Sequence, residues 1–241
     1  MLTYDNVRAG VKGRASLRSF PVNDEHRDVF PPSAEETLRQ RVKAQLRRRM
    51  RGLRRALPLS ACAERSARIA SQLLSLEPIA HARAVALFWP IEERHEVDLR
   101  PLDAYLRDRD VRVAYPAIDQ RTGAMTFRFV AAPETMVERA SHGVTLREPS
   151  PDAPEAAPDE LDVIVVPALA VDPNGHRIGY GAGNYDRALP RFAPPAVSVA
   201  VAFDFQLIVE VPATEGDVRA NEVVTDARRI RIAGSKPFEA T

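Results

Sequence analysis

The run "LDVIVVP", residues 161–167, is the most apolar short stretch in the chain. A strand with one wet face alternates apolar and polar side chains, whereas a strand covered on both faces reads as a continuous apolar run. The stretch is therefore predicted to be a strand at the centre of a sheet with helices on both sides. Similar but shorter runs flank it. Upstream lie "AVALFW" (84–89), "VRVAYP" (111–116) and the alternating "MTFRFV" (125–130); downstream lies "AVSVAVAF" (196–203). "EVVTD" (222–226) and "RRIRIA" (228–233) read as two late edge strands. Short helical patterns separate them, in "DLRPLDAYLRD" and "YDRALPRF". Strands alternating with helices indicate an α/β fold with an at least partly parallel sheet. The Pro- and acid-rich "EPSPDAPEAAPDE" (148–160) reads as a surface connection.

The N-terminal third is different. Residues 1–32 are polar and aperiodic and read as an extension outside the core, with a composition prone to disorder. A helix is predicted from Ser33, an N-cap three residues before Glu36, to about Ala56. Its apolar positions Leu38, Val42, Leu46 and Met50 recur every four residues. A second helix, capped by Ser60, runs to about Leu76 with Ile69, Leu73 and Leu76 as its apolar face. Residues 33–241 then form a single α/β domain, with no internal repeat and no second core.

Composition narrows the function. The chain has 241 residues, 45% hydrophobic and 28% charged, with a formal net charge of +1. That charge provides no general field for nucleic acid or a membrane surface. One cysteine, Cys62, excludes an internal disulfide framework and suits a reducing compartment. No apolar run reaches the roughly 18–20 residues of a membrane span, and no secretory core is present at the N-terminus. The cytoplasm is the expected location, and a monomer the expected state.

The chemistry concentrates in "RIGYGAGNYDRAL", residues 177–189. Gly179, Gly181 and Gly183 form G-x-G-x-G, and Asn184 stands where a dinucleotide motif would place its third glycine. No Lys-Ser/Thr pair follows, so the stretch is not a Walker loop either. Alternate glycines let successive N–H groups approach an anion, and a helix beginning near Asn184 would add partial positive charge there. Arg177 and Arg187 could add charged donors, and a magnesium ion between phosphate and Asp186 would account for that acidic residue. A tight loop with Asp186 as helix cap is the competing reading.

Three further stretches carry candidates. The helix "LRQRVKAQLRRRMRGLRRA" is basic without an acid, and Lys43 and Arg47 share a face where they could clamp a polyphosphate. A solvated cationic face is the alternative, and specific base reading has no supporting motif. In "WPIEERHEVDL" (89–99), Trp89 offers a flat surface for a ring and Glu96 a carboxylate for a polar ring; His-Glu-x-Asp spacing matches no zinc motif. Asp217, in a polar turn, could complete a magnesium shell with Asp186, or could serve only as turn chemistry.

In sequence order these stretches resemble the 5-formyltetrahydrofolate cyclo-ligase family. That family shows a G-x-R-L-G-x-G-x-G-[YF]-Y-D-R signature, matched by residues 175–187, followed by a Gln, Pro, Asp and Asp-x-[IV]-[IL]-Thr series matched within 206–226. Its N-terminal K-x-x-L-R pattern matches Lys43, Leu46 and Arg47, and its Glu-Val-Asp segment matches Glu96, Val97 and Asp98. The resemblance covers roughly residues 38–226. It implies a three-layer α/β/α fold with a central, mostly parallel sheet of the NagB/RpiA/CoA-transferase type. It implies ATP as co-substrate, Mg2+ as cofactor and a reduced folate as substrate, with no nucleic-acid or membrane partner. Lys43, Arg47, Arg177, Gly179, Tyr180, Gly181, Ala182, Gly183 and Tyr185 would line the ATP site, with Lys43 and Arg177 catalytic. Trp89, Glu96, Gly181 and Asn184 would hold the folate, and Asp186 and Asp217 the metal. Asn184 departs from the family's aromatic residue, and Ala182 replaces a common glycine. A folate- or nucleotide-binding regulator with weak turnover, on the same fold, is the alternative function.

Overall fold

The computed structural model describes residues 33–119, 121–141 and 144–234. The extension expected over residues 1–32 lies outside them. In chain order the elements are helices α1 (Ala34–Ala56), α2 (Leu59–Leu74) and α3 (Glu77–Ala80), then strand β1 (Ala84–Ala86), helix α4 (Arg100–Arg107) and strands β2 (Arg112–Ile118) and β3 (Met125–Phe129). A hairpin of β4 (Val137–Ser141) and β5 (Val144–Glu148) precedes β6 (Val163–Pro167), which leads into the short pair β7 (Ala170–Val171) and β8 (Arg177–Ile178). Helix α5 (Asn184–Phe192), β9 (Val197–Val201), β10 (Glu222–Val224) and β11 (Arg229–Arg231) complete the chain.

Seven strands form the main sheet in the order β11-β10-β9-β6-β1-β2-β3. The run "LDVIVVP" thus supplies the middle strand, hydrogen-bonded in parallel to β1 on one side and β9 on the other. The five inner strands are parallel, and the outermost strands, β3 and β11, run antiparallel to their neighbours. Both faces of β6 are buried, as the sequence predicts. Val163 and Val165 join a core with Ile69 and Leu73 of α2 and Leu102 and Leu106 of α4. Ile164 and Val166 join one with Ala188, Leu189 and Phe192 of α5. In β1, Val85 faces the first core and the small Ala84 and Ala86 face the second, which lets α5 approach closely.

Several expectations shift. β1 ends at Ala86, so Leu87 to Trp89 leave the sheet and carry the chain beyond its carboxyl edge. β10 is not an edge strand, because it pairs with both β9 and β11. The β4–β5 and β7–β8 pairs were not expected; their charged or two-residue strands lack an apolar period. The 148–160 connection is more than a surface loop. Phe129 N–H donates to Pro154 O at 2.8 Å and Ala156 N–H to Phe127 O at 2.8 Å, so the segment covers the free edge of β3. Helix α2 begins at Leu59, with Pro58 at the cap position, rather than at Ser60.

The largest correction concerns α1. Ser33 caps it as expected, its Oγ accepting from Glu36 N–H at 3.1 Å. The buried face is not the apolar repeat, however. Leu38 is 60% exposed and Val42 is 37% exposed, while Lys43, Met50 and Arg54 are buried. Met50, with half-buried Leu46 beside it, anchors the helix in an apolar cluster, against Leu169, Ala170 of β7, Ile178 of β8 and Val211. Positions 43, 47, 50 and 54 fall on one stripe at spacings of four, three and four.

Candidate active site

Strand β6 ends at Pro167, and the β7–β8 pair carries the chain into the glycine loop. The site therefore lies beyond the carboxyl ends of the central strands, where ligands collect in open α/β sheets. The loop's geometry requires glycine at two positions. Gly183 (φ +67°) is the left-handed residue preceding α5, and Gly181 (φ +110°) faces Arg47, whose Cζ would lie 3.5 Å from an added Cβ. Helix α5 starts at Asn184, as the sequence predicts, with its N-terminus at the loop.

The basic stripe of α1 meets this loop. Arg47 Nε donates to Gly179 O at 3.0 Å. Burial, with neighbouring Arg51, pushes the Arg47 pKa below its ordinary value against the opposing effect of Asp217. Lys43 donates to Thr214 Oγ1 at 2.8 Å and makes a short ion pair with Asp217. Burial opposes ionisation of Asp217, yet the Lys43 bond and the Thr214 N–H hold its pKa below the usual carboxylate value. Asp186 is not a helix cap. It accepts from Arg177 Nη2 at 2.9 Å and from Val218 N–H at 3.1 Å, tying β8, α5 and the 214–218 turn together. Arg177 also donates to Val218 O, and its burial lowers its pKa, with Asp186 opposing.

A second set of contacts lies around Glu96. The Tyr180 hydroxyl donates to Glu96 Oε1, and Ile91 N–H donates to Oε2 at 3.0 Å. Arg54 Nη2 lies 2.8 Å from the Tyr180 oxygen and 3.7 Å from Glu96 Oε1. Trp89 meets Tyr115 edge-on with ring centroids 6.0 Å apart, and Arg147 and Arg100 lie 5.2 Å and 6.0 Å from its ring centroid. Tyr185 packs against Phe127, and its pKa is raised chiefly by burial. Asn184 Oδ1 accepts from Arg187 Nη2 at 2.7 Å, and Arg187 also donates to Ala182 O. Asp98 pairs with Arg100.

Two carboxylates, Asp186 and Asp217, stand near the loop, each already bonded to a cation. Among the described residues no group of three or more His, Cys, Asp or Glu gathers as a metal site. Mg2+ is usually held by one or two carboxylates plus waters and substrate phosphates; here Asp217 is paired with Lys43 and Asp186 with Arg177. The geometry thus brings together Lys43, Arg47, Arg177, the glycine loop, Asp186 and Asp217. It sets the Tyr180 hydroxyl on Glu96 rather than on Lys43, Arg47 or Arg177. Sequence reasoning missed Arg54, Arg94 and Thr214. The stripe 43-47-50-54 was the available signal for Arg54; Thr214 and Arg94 carry none.

The model of the 5-formyltetrahydrofolate cyclo-ligase family matches residues 39–226. The chain belongs to that family. This membership places it among ligases of folate metabolism. A 5-formyltetrahydrofolate cyclo-ligase of Escherichia coli K12 is 29% identical over 181 residues, 74% of this chain and 97% of that protein. The Mycolicibacterium smegmatis cyclo-ligase is 49% identical over 86 residues, a match spanning 35% of this chain and 44% of the mycobacterial one. Among solved structures, the Aquifex aeolicus 5,10-methenyltetrahydrofolate synthetase superposes with a TM-score of 0.69 at 28% identity, covering 82% of this chain and 96% of that one. The Mycoplasma pneumoniae synthetase shares the cyclo-ligase fold, with a TM-score of 0.61. No helix among the described residues is long and apolar enough to cross a membrane.

Proposed function

We propose that this chain cyclises 5-formyltetrahydrofolate to 5,10-methenyltetrahydrofolate, consuming ATP with Mg2+ and releasing ADP and phosphate. The observation that carries the reading is the meeting of two cations of α1 with the glycine loop and the 214–218 turn: Arg47 on Gly179 O and buried Lys43 on Asp217. A basic, glycine-rich loop at a helix N-terminus suits a polyphosphate.

In this reading the γ-phosphoryl group passes to the formyl oxygen on N5. The N10 lone pair then bonds to the formyl carbon, the carbon–oxygen bond breaks, phosphate leaves and the N10 proton goes to solvent. Lys43 and Arg177 stabilise charge on the moving phosphoryl group, and Arg47 with the Gly179–Gly183 backbone holds the nucleotide. Asp186 and Asp217 would hold Mg2+ together with the phosphates, and the ion would supply charge neutralisation there. Trp89 and Glu96 receive the pteridine ring, and Tyr185 and the Gly181–Asn184 backbone close the loop side. Since the protein forms no covalent bond, positioning provides most of the rate. The buried free thiol of Cys62 supports a reducing, cytoplasmic setting.

The test is direct. The protein is mixed with 5-formyltetrahydrofolate, ATP and Mg2+, and methenyl absorbance is followed. Substrate-dependent product confirms the reading. Ligand binding without product at micromolar enzyme overturns it in favour of a regulator.

A further inference from the structure

The family motif assigns Tyr180 to the nucleotide, but its hydroxyl serves another group. It donates to Glu96 Oε1 and accepts from Arg54 Nη2 at 2.8 Å. Glu96 is 8% exposed and Arg54 3% exposed. Arg54 is itself held: Nε and Nη2 donate to Arg94 O at 3.0 and 2.6 Å. The Arg54 carbonyl faces His95 Nδ1 at 3.0 Å, and the Leu57 carbonyl faces the same nitrogen at 3.2 Å, so that nitrogen carries the proton. The Arg94 guanidinium lies 4.5 Å from the Tyr180 ring centroid. Three segments distant in sequence, α1, the 91–96 loop and the glycine loop, converge on one carboxylate.

We infer that Tyr180 is a positioning residue for the reduced-folate substrate, fixing the Glu96 carboxylate, with Arg54 behind it, so that its remaining lone pairs meet the N–H donors of the pteridine ring. The inference rests on the proposed function. Its supports are the direct bond to Glu96 and the absence, among the described residues, of any hydrogen bond from Tyr180 toward the phosphate-facing cations Lys43, Arg47 and Arg177. Burial, then the charge of Glu96, raises the Tyr180 pKa, which keeps the phenol a donor. Phenylalanine would keep the ring and its contact with Arg94 while removing that donor. One short loop then serves two substrates: Gly179, held by Arg47, faces the nucleotide, and Tyr180, the next residue, orders the folate side.

The experiment is Tyr180→Phe in the full chain. The KM for 5-formyltetrahydrofolate is expected to rise about tenfold, the cost of losing a hydrogen bond to a charged group. The KM for ATP and kcat should stay within about twofold. Trp89 is the only tryptophan, so its fluorescence gives the affinity for 5-formyltetrahydrofolate without ATP, and that affinity should fall by the same factor. A rise confined to the KM of ATP, or no change in either, overturns the inference. Combination with Glu96→Gln supplies a readout that general loosening does not move. If Tyr180 acts through Glu96, the double variant binds folate no worse than Glu96→Gln alone; additive losses overturn the inference. A wild-type protein that binds folate without closing the ring overturns the cyclisation reading and leaves the titration valid. A protein that binds no reduced folate overturns both.

Discussion

Helices α1 and α2 follow each other in the chain and both show helical periodicity, yet they are buried by opposite rules. α2 hides Ile69 and Leu73, both 0% exposed, in the main core. α1 hides Lys43 and Arg54 and leaves Leu38 and Val42 in solvent. Burying a cation costs free energy unless carboxylates and carbonyls compensate it. The compensation here is Asp217, Thr214, Glu96, Tyr180 and Arg94 O. The difference separates a helix packed into the main core from one whose buried cations line the candidate site.

Lys43→Met probes the comparison most strongly. kcat/KM should fall about 10²–10³-fold, in line with loss of one preorganised charged donor, while the melting curve from circular dichroism stays cooperative. Full activity would mean that the buried cation of α1 is structural, like the leucines of α2. Leu73→Ala is the mirror experiment. It should cost about 2–5 kcal/mol in urea unfolding, with kcat/KM per folded molecule unchanged; a matching loss of activity would erase the division of labour.

Acid titration sharpens it further. The Asp217 carboxyl has a folded pKa below its unfolded value of about 3.9. Its contribution is therefore fully present above that unfolded value and is lost as pH falls through the folded one. Unfolding free energy measured across that acid range should drop less steeply in Asp217→Asn than in the wild type. Identical slopes would remove Asp217 from the stabilising set. Leu38→Gln is the smallest change, expected within about 0.5 kcal/mol. A larger loss in thermal melting would show that the apolar repeat of α1 is covered after all.

How much of this is readable in the sequence follows from the same contrast. β6 and its parallel neighbours announce themselves, because a strand buried on both faces needs a continuous apolar run. α5 follows from the end of the glycine loop. The face of α1 was misread because the heuristic of burying apolar residues assigned Leu38 and Val42 to a core they do not reach. The motif carried Lys43, Arg47, Arg177 and the loop, because these residues are either close in sequence or part of a family pattern. The stripe puts Arg54 on the face of Lys43 and Arg47, but its partners lie 40 and 126 positions away and show only in the fold. The β4–β5 hairpin escaped notice because its strands carry charges on a weakly buried ladder.

The Lys43–Asp217 bond spans 174 positions. On the ribosome, α1 emerges early and Lys43 waits for its carboxylate until the 214–217 turn is made. A chain that ends before Thr214 contains the segments of β1 to β9 but leaves Lys43 without its carboxylate. Completion of the Lys43 pair is thus a late event of synthesis: a chain terminated before Asp217 lacks that carboxylate although β1 to β9 have already been made.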